Sequence, residues 1–171
     1  RVREANEQPL AAYKGRVFAL GAASNGTLGG YRSLMALRQI LEPIFEPTFS
    51  EVSFGFRPGR SAHMAMRRIW GQLQAGGRWI VDADIADYFG TISHEKLLDL
   101  VAERVADGRV LGLIRQILTA GAMRDGVFES SVAGTPQGGV ISPLLSNIYL
   151  HVFDMRMEQE GIQLTRYADD W

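Results

Sequence analysis

The strongest constraint on this chain is a helical run pinned at both ends. Residues 142–160 lie between the Gly138-Gly139 pair and Gly161. Pro143 fits such a helix because it falls in the first turn, where a missing N–H loses no partner. Gly161 suits the chain reversal at its end. A β-like run follows at once, Gln163-Leu164-Thr165-Arg166-Tyr167, and then two adjacent carboxylates, Asp169-Asp170. An isolated Asp-Asp pair usually decorates a solvated turn, so a metal role for this one needs partners upstream.

The rest of the chain alternates helical and extended patterns. Ser33 reads as the cap of a helix through about Phe45, with Leu34, Leu37, Ile40 and Leu41 at helical spacing. Pro43 is expected to end it early. Ser61 opens a second helix through about Gln74, with Ala62, Ala65, Ile69 and Leu73 on one face and Gly76-Gly77 as its stop. Residues 78–85 alternate, with Trp79, Val81, Ala83 and Ile85 on one side and Ile80, Asp82 and Asp84 on the other, the period of a half-buried strand. Ser93 caps a helix reaching about Val105, and another spans residues 110–119. Residues 126–132 read as a short strand, half of a hairpin. Residues 1–33 carry scattered glycines and little periodicity, with a helical piece expected near residues 9–13.

Composition narrows the class. With 171 residues the chain is long enough for one domain with a sizeable core, and 46% apolar with 22% charged residues is ordinary for a globular protein. It has no cysteine, which excludes disulfides and thiolate zinc sites. No apolar run reaches membrane-spanning length. The first residues do not read as a signal peptide, and a cytoplasmic location is the expectation. The net charge of −1 hides an asymmetry: Arg57, Arg60, Arg67, Arg68 and Arg78 occur in a stretch without any acid, whereas residues 82–107 are acid-rich. That pairing suits a site that grips phosphates and holds cations, and equally suits ordinary surface charge.

Asp84 is the natural partner for Asp169. A carboxylate at a strand end and a carboxylate pair in a turn can converge on one cation cluster. Magnesium takes oxygen ligands, commonly one or two carboxylates plus substrate phosphates. A third element stands between them: Gly134-Thr135-Pro136-Gln137-Gly138-Gly139, a turn-rich loop that opens the long helix. Its small residues allow close approach of a backbone or a base, and Gln137 can both donate and accept. Taken singly, each element also reads as an edge strand, a solvated turn or a plain helix cap.

Together, Asp84-Ile85 with Tyr88-Phe89, then the Gly134 to Gly139 loop, then Tyr167-Ala168-Asp169-Asp170 resemble motifs A, B and C of reverse transcriptases, nearest the group II intron-encoded (retron/maturase-like) branch. Ile40-Leu41-Glu42-Pro43-Ile44-Phe45-Glu46-Pro47, followed by Ser53-Phe54-Gly55-Phe56-Arg57-Pro58-Gly59-Arg60, resembles that branch's fingers motif, and Ser142-Pro143-Leu144-Leu145-Ser146-Asn147 extends motif B in the same style. The resemblance covers about residues 39–171.

The resemblance implies an α+β fingers–palm fold, with an antiparallel palm sheet and helices packed on one face. It implies residues 1–38 as a diverged fingers remnant and 39–171 as fingers and palm, cut after motif C, with thumb and maturase domains absent. The implied activity is RNA-directed DNA polymerisation, templated nucleotidyl transfer by two metal ions. Asp84, Asp169 and Asp170 would be the catalytic, metal-holding carboxylates, for Mg2+ or Mn2+. Ile85, Phe89, Gln137 and Gly138 would contact the nucleotide, with Phe89 as a steric gate against a ribose 2′-hydroxyl. Arg57, Arg60, Gly134 and Pro136 would contact nucleic acid. RNA template, DNA primer, deoxynucleoside triphosphates and intron RNA are the implied partners, and a membrane is not. Gly90 and Ser93 depart from the family pattern, which often has aspartates there. Little or no processive polymerisation is expected of a chain of this extent. A catalytically degenerate RNA-binding, maturase-like remnant is the alternative. A different nucleotidyltransferase or cyclase palm is a weaker one, since it would need no template-facing loop.

Overall fold

The computed structural model describes residues 28–119, 122–124, 127–129, 134–135 and 139–171. The expected helical piece near residues 9–13 lies outside them. Helix α1 spans Leu28–Phe45 and runs into a 3₁₀ turn, Glu46–Thr48. Helix α2 spans Ala62–Gln74. A single helical turn, α3, covers Tyr88–Thr91, and α4 spans His94–Ala102. Helix α5 spans Gly108–Thr119, strands β1 (Ala122–Arg124) and β2 (Val127–Glu129) form a hairpin, and α6 spans Ser142–Gln159.

Local chemistry sets these limits. In α1, Leu34, Leu37, Leu41 and Phe45 are buried at spacings of three and four, one apolar stripe on a helix. The helix begins upstream of Ser33, with Gly29 and Gly30 in its first turn rather than its interior, where glycine costs most. It continues unbroken across residues 38 and 39. Pro43 does not end it: the residue sits exposed in the last turn, where little ladder remains to be lost. After α2, Gly76 at φ +104° and its backbone bond to the Leu73 carbonyl (3.1 Å) close the helix. The Ser93 hydroxyl accepts from the Lys96 amide at 3.4 Å and starts α4.

Helix α6 is the centre. Ser142, Leu144, Leu145, Ser146, Asn147, Ile148, Leu150 and Asp154 are buried, so its first three turns are enclosed on most sides. Helices α1 and α4 pack on α6, and α5 packs on α4. Their apolar faces make one cluster, with Leu41, Leu97, Val101, Ile114 and Leu145 fully enclosed.

The expected antiparallel palm sheet is not formed. Among the described residues the fold is helical, and the named strands are β1 and β2, of three residues each, paired antiparallel with Met123 opposite Phe128. Beyond them there are single bridges, Ser53 with Arg166 and Tyr167 with Asp170. Residues 78–82 form no strand and make no backbone–backbone hydrogen bonds among the described residues, and Trp79 is 95% and Val81 79% exposed. Ala83 alone pairs, in both directions, with Trp171 (2.7 and 2.9 Å). Alternation fixes that a segment has two faces. A ladder also needs a neighbour offering its N–H and C=O groups, and here that neighbour amounts to one residue.

The enclosure of α6 predicts a sharp contrast. Leu145→Ala, at a fully buried position, should cost about 2–5 kcal/mol in urea unfolding. Val152→Ala, on the exposed face of the same helix, should stay within about 0.5 kcal/mol. Similar losses for both would contradict the placement of the core.

Candidate active site

Asp169 and Asp170 sit on a tight reversal. The Tyr167 amide donates to the Asp170 carbonyl at 2.8 Å, and the Asp170 amide returns the bond at 3.2 Å. Ala168 takes φ +60° while Asp169 stays at negative φ, the sign pattern of a type II′ turn. For a residue with a Cβ that conformation costs on the order of 1 kcal/mol or more, so surrounding contacts must hold it. The Ala83–Trp171 pairing brings Asp84 to the side of this turn. Trp171 is braced in turn by its ring against Phe153 of α6, at 4.9 Å.

The electrostatics report the same convergence. The Asp170 carboxyl is pushed above its ordinary range, first by partial desolvation and then by the charges of Asp84, Asp169 and Asp82. The charges of Asp84 and Asp169 thus act on Asp170, and so does that of Asp82, which the sequence reading left out of the site. Its signal was its place two residues before Asp84 on the same alternating face. Burial also raises the Tyr88 phenol, with the Asp169 charge a smaller contributor. Tyr88 donates to the Ser146 carbonyl of α6 at 3.0 Å. Among the described residues, no group of three or more His, Asp or Glu side chains is arranged to hold a metal ion.

The second predicted element is docked on the first. Thr135 donates its amide to the Phe89 carbonyl (2.8 Å), and Gly134 donates to the Ile92 carbonyl (2.8 Å). Gly134 is at φ +94°, and a Cβ there would stand 2.7 Å from the Phe89 oxygen and 2.9 Å from the Gly90 Cα. Only glycine fits. A ring nitrogen of His94, buried on α4, lies 2.5 Å from the Gly134 carbonyl, a structural tie for a residue given no role from sequence. Phe89 is half-buried, its ring 5.3 Å from that of Tyr88 and edge-on, and Ile85 packs beside it on the core. Pro136, Gln137 and Gly138 lie outside the described residues.

Arg57 and Arg60 both spend donors within the chain. Arg57 is buried and donates to the Glu46 carboxylate (2.9 Å) and to the carbonyls of Ser50 (2.6 Å) and Ser53 (2.9 Å). Arg60 pairs with Glu51 and lies over the Phe54 ring at 5.2 Å. Their donors hold the loop that follows α1, those of Arg57 buried and those of Arg60 at the surface.

Sequence reasoning missed Arg166. Its guanidinium is fully buried and uses all five N–H donors: Nε and Nη2 to the two oxygens of Asp154 (2.7 and 2.6 Å), Nη2 to the Ser53 hydroxyl (2.8 Å), and Nη1 to Asn147 Oδ1 (3.1 Å) and the Ala168 carbonyl (2.6 Å). Asn147 also donates to the Gly55 carbonyl at 2.9 Å. Two signals were legible: an arginine inside an otherwise uncharged β-like run, and Asp154 on the same helical face as Asn147 and Leu150.

The carboxylate repulsion sets a pH dependence. Because the folded chain holds the Asp170 proton more tightly than the unfolded chain, stability should fall as pH rises from the ordinary aspartate range through the raised value. Asp170→Asn should flatten that fall, raising the melting temperature at pH 7 relative to wild type and leaving no difference near pH 3. Parallel curves for the two proteins would contradict the clustering.

A family model described as reverse transcriptase (RNA-dependent DNA polymerase) matches residues 28–171. The group II intron-encoded protein LtrA of Lactococcus lactis subsp. cremoris is 44% identical over 135 residues, 79% of this chain and 22% of that protein. Protein YkfC of Escherichia coli (strain K12) is 39% identical over 140 residues, covering 80% of this chain and 37% of its own length. An uncharacterized 91 kDa protein in a cob intron of Schizosaccharomyces pombe is 40% identical over 151 residues, 84% of this chain and 19% of that protein. The chain thus spans well under half the length of these relatives. With Asp84 brought beside the Asp169-Asp170 turn and the Gly134 loop seated on Phe89, the chain belongs to the reverse transcriptase family, on its group II intron-encoded branch.

Proposed function

We propose that this chain is the fingers–palm core of an RNA-directed DNA polymerase of the group II intron type, acting in the cytoplasm on an RNA template and DNA primer. The observation that carries the reading is the shared neighbourhood of Asp84, Asp169 and Asp170, expressed in the raised Asp170 carboxyl. Asp84 and Asp169 would hold Mg2+ or Mn2+, with Asp170 beside them. When bound, such ions supply charge stabilisation at the attacking and leaving oxygens of an in-line displacement. The chain's own residues do the rest. The carboxylate turn fixes where the triphosphate can sit. Phe89, held by Tyr88 and the core, presents bulk toward the sugar and disfavours a 2′-hydroxyl by exclusion. Gln137 and Gly138 would lie under the templating pair, and Gly134 and Pro136 along the nucleic acid. No described helix is long and apolar enough to cross a membrane. Intron RNA is a proposed partner, LtrA being named a group II intron-encoded protein.

Since Arg57 and Arg60 are engaged internally, they would serve RNA binding through the loop they hold. The exposed Arg67 and Arg78 are better placed to meet phosphates.

Primer extension tests the reading. On an RNA template with Mg2+, the chain should add one or a few nucleotides. Asp169→Ala and Asp84→Ala should each reduce incorporation to the no-enzyme background. Phe89→Ala should keep activity and admit ribonucleotides. Equal incorporation by wild type and Asp169→Ala would leave the degenerate RNA-binding reading in its place.

A further inference from the structure

We propose that Arg166 is a positioning residue: it sets the carboxylate turn against α6 and the loop after α1, and so fixes where Asp169 and Asp170 stand. The inference rests on reading those carboxylates as the metal-holding set.

Three observations carry it. First, the Ala168 carbonyl accepts from Arg166 Nη1 at 2.6 Å, and Ala168 is the residue forced to positive φ at the turn. The guanidinium thus grips the strained peptide itself, one residue from Asp169. Second, the other four donors reach two separate elements, Asp154 and Asn147 on α6 and Ser53 in the loop. A planar fork with every donor engaged has one orientation, so the turn inherits the position of both elements. Third, the backbone is fitted to the same register. Phe54 donates to the Arg166 carbonyl (2.9 Å), and Arg166 donates to the Val52 carbonyl (2.8 Å). A Cβ on Gly55 would stand 2.2 Å from the Ala168 nitrogen. The loop and the turn therefore touch backbone to backbone, and Asn147 ties Gly55 to the guanidinium.

A purely structural ion pair would behave differently from a positioning one. Removing one partner strands a buried charge and unfolds much of what surrounds it. Replacing both by apolar residues commonly preserves the fold. The decisive variant is therefore the double substitution Arg166→Met with Asp154→Leu, which removes the pair without leaving an orphan charge. Gly55→Ala is the second variant, pressing on Ala168 while leaving the pair whole.

Two readouts are taken on each folded protein. Amide hydrogen exchange at Tyr167 and Asp170 reports the turn directly, with α6 amides as the internal reference. Mn2+ binding, followed by titration, reports the site. Both variants should melt cooperatively and keep α6 protection. They should also lose turn protection by about tenfold or more and bind Mn2+ on the order of tenfold more weakly, as expected for groups that orient metal-holding residues. Wild-type turn protection in the double variant would overturn the proposal. So would lost turn protection with unchanged Mn2+ affinity. Asp169→Ala separates the underlying reading: if it binds Mn2+ as wild type does, the metal assignment fails, and hydrogen exchange still decides whether Arg166 positions the turn.

Discussion

The structure depends on one buried guanidinium. Arg166 and Asp154 are both inaccessible to solvent and meet in a two-pronged pair. Taking two charges out of water is expensive, and mutual attraction offsets it only when the remaining donors are satisfied. Here they are: Ser53, Asn147 and Ala168 take the other three N–H groups. A generic apolar contact could supply similar stability. It could not connect three segments distant in sequence in a single orientation, and the site needs that orientation.

From this centre the rest follows in order. Helix α6 supplies Asn147 and Asp154 and is itself enclosed by α1 and α4. The loop after α1 reaches Arg166 through Ser53 and is stiffened by Arg57, whose donors tie Glu46, Ser50 and Ser53 together. The Ser50 hydroxyl also bonds to Glu158 near the far end of α6. On the other side, Tyr88 reaches the α6 backbone at Ser146, and the turn it starts carries Phe89 and receives Gly134 and Thr135. The three sequence elements suspected of chemistry meet because each is bonded to α6 or to a neighbour of it.

The helices were legible because their determinants are local. Ser93, Pro143, Gly76 and the spacing of Leu34, Leu37 and Leu41 act within a few residues of where they stand. The family was legible through the order of its motifs. The palm sheet was misread because pairing is non-local: residues 78–85 have the alternation of a strand, yet only Ala83 finds a partner. Arg166 escaped notice for the same reason. Nothing within a few residues of it says that Asp154 and Asn147 will be waiting on a helix behind the turn. The roles of Arg57 and Arg60 were read from charge alone, and charge does not reveal that acids and carbonyls nearby will use their donors.

The central claim is that Asp84, Asp169 and Asp170 form one carboxylate site. Its most direct test is paramagnetic line broadening in the amide spectrum of the intact chain at low Mn2+ occupancy. The account predicts selective broadening of residues 83–84 and 168–171, with the amides of α5 unaffected. Broadening spread evenly over the acidic surface, or confined to residues 95–107, would contradict it.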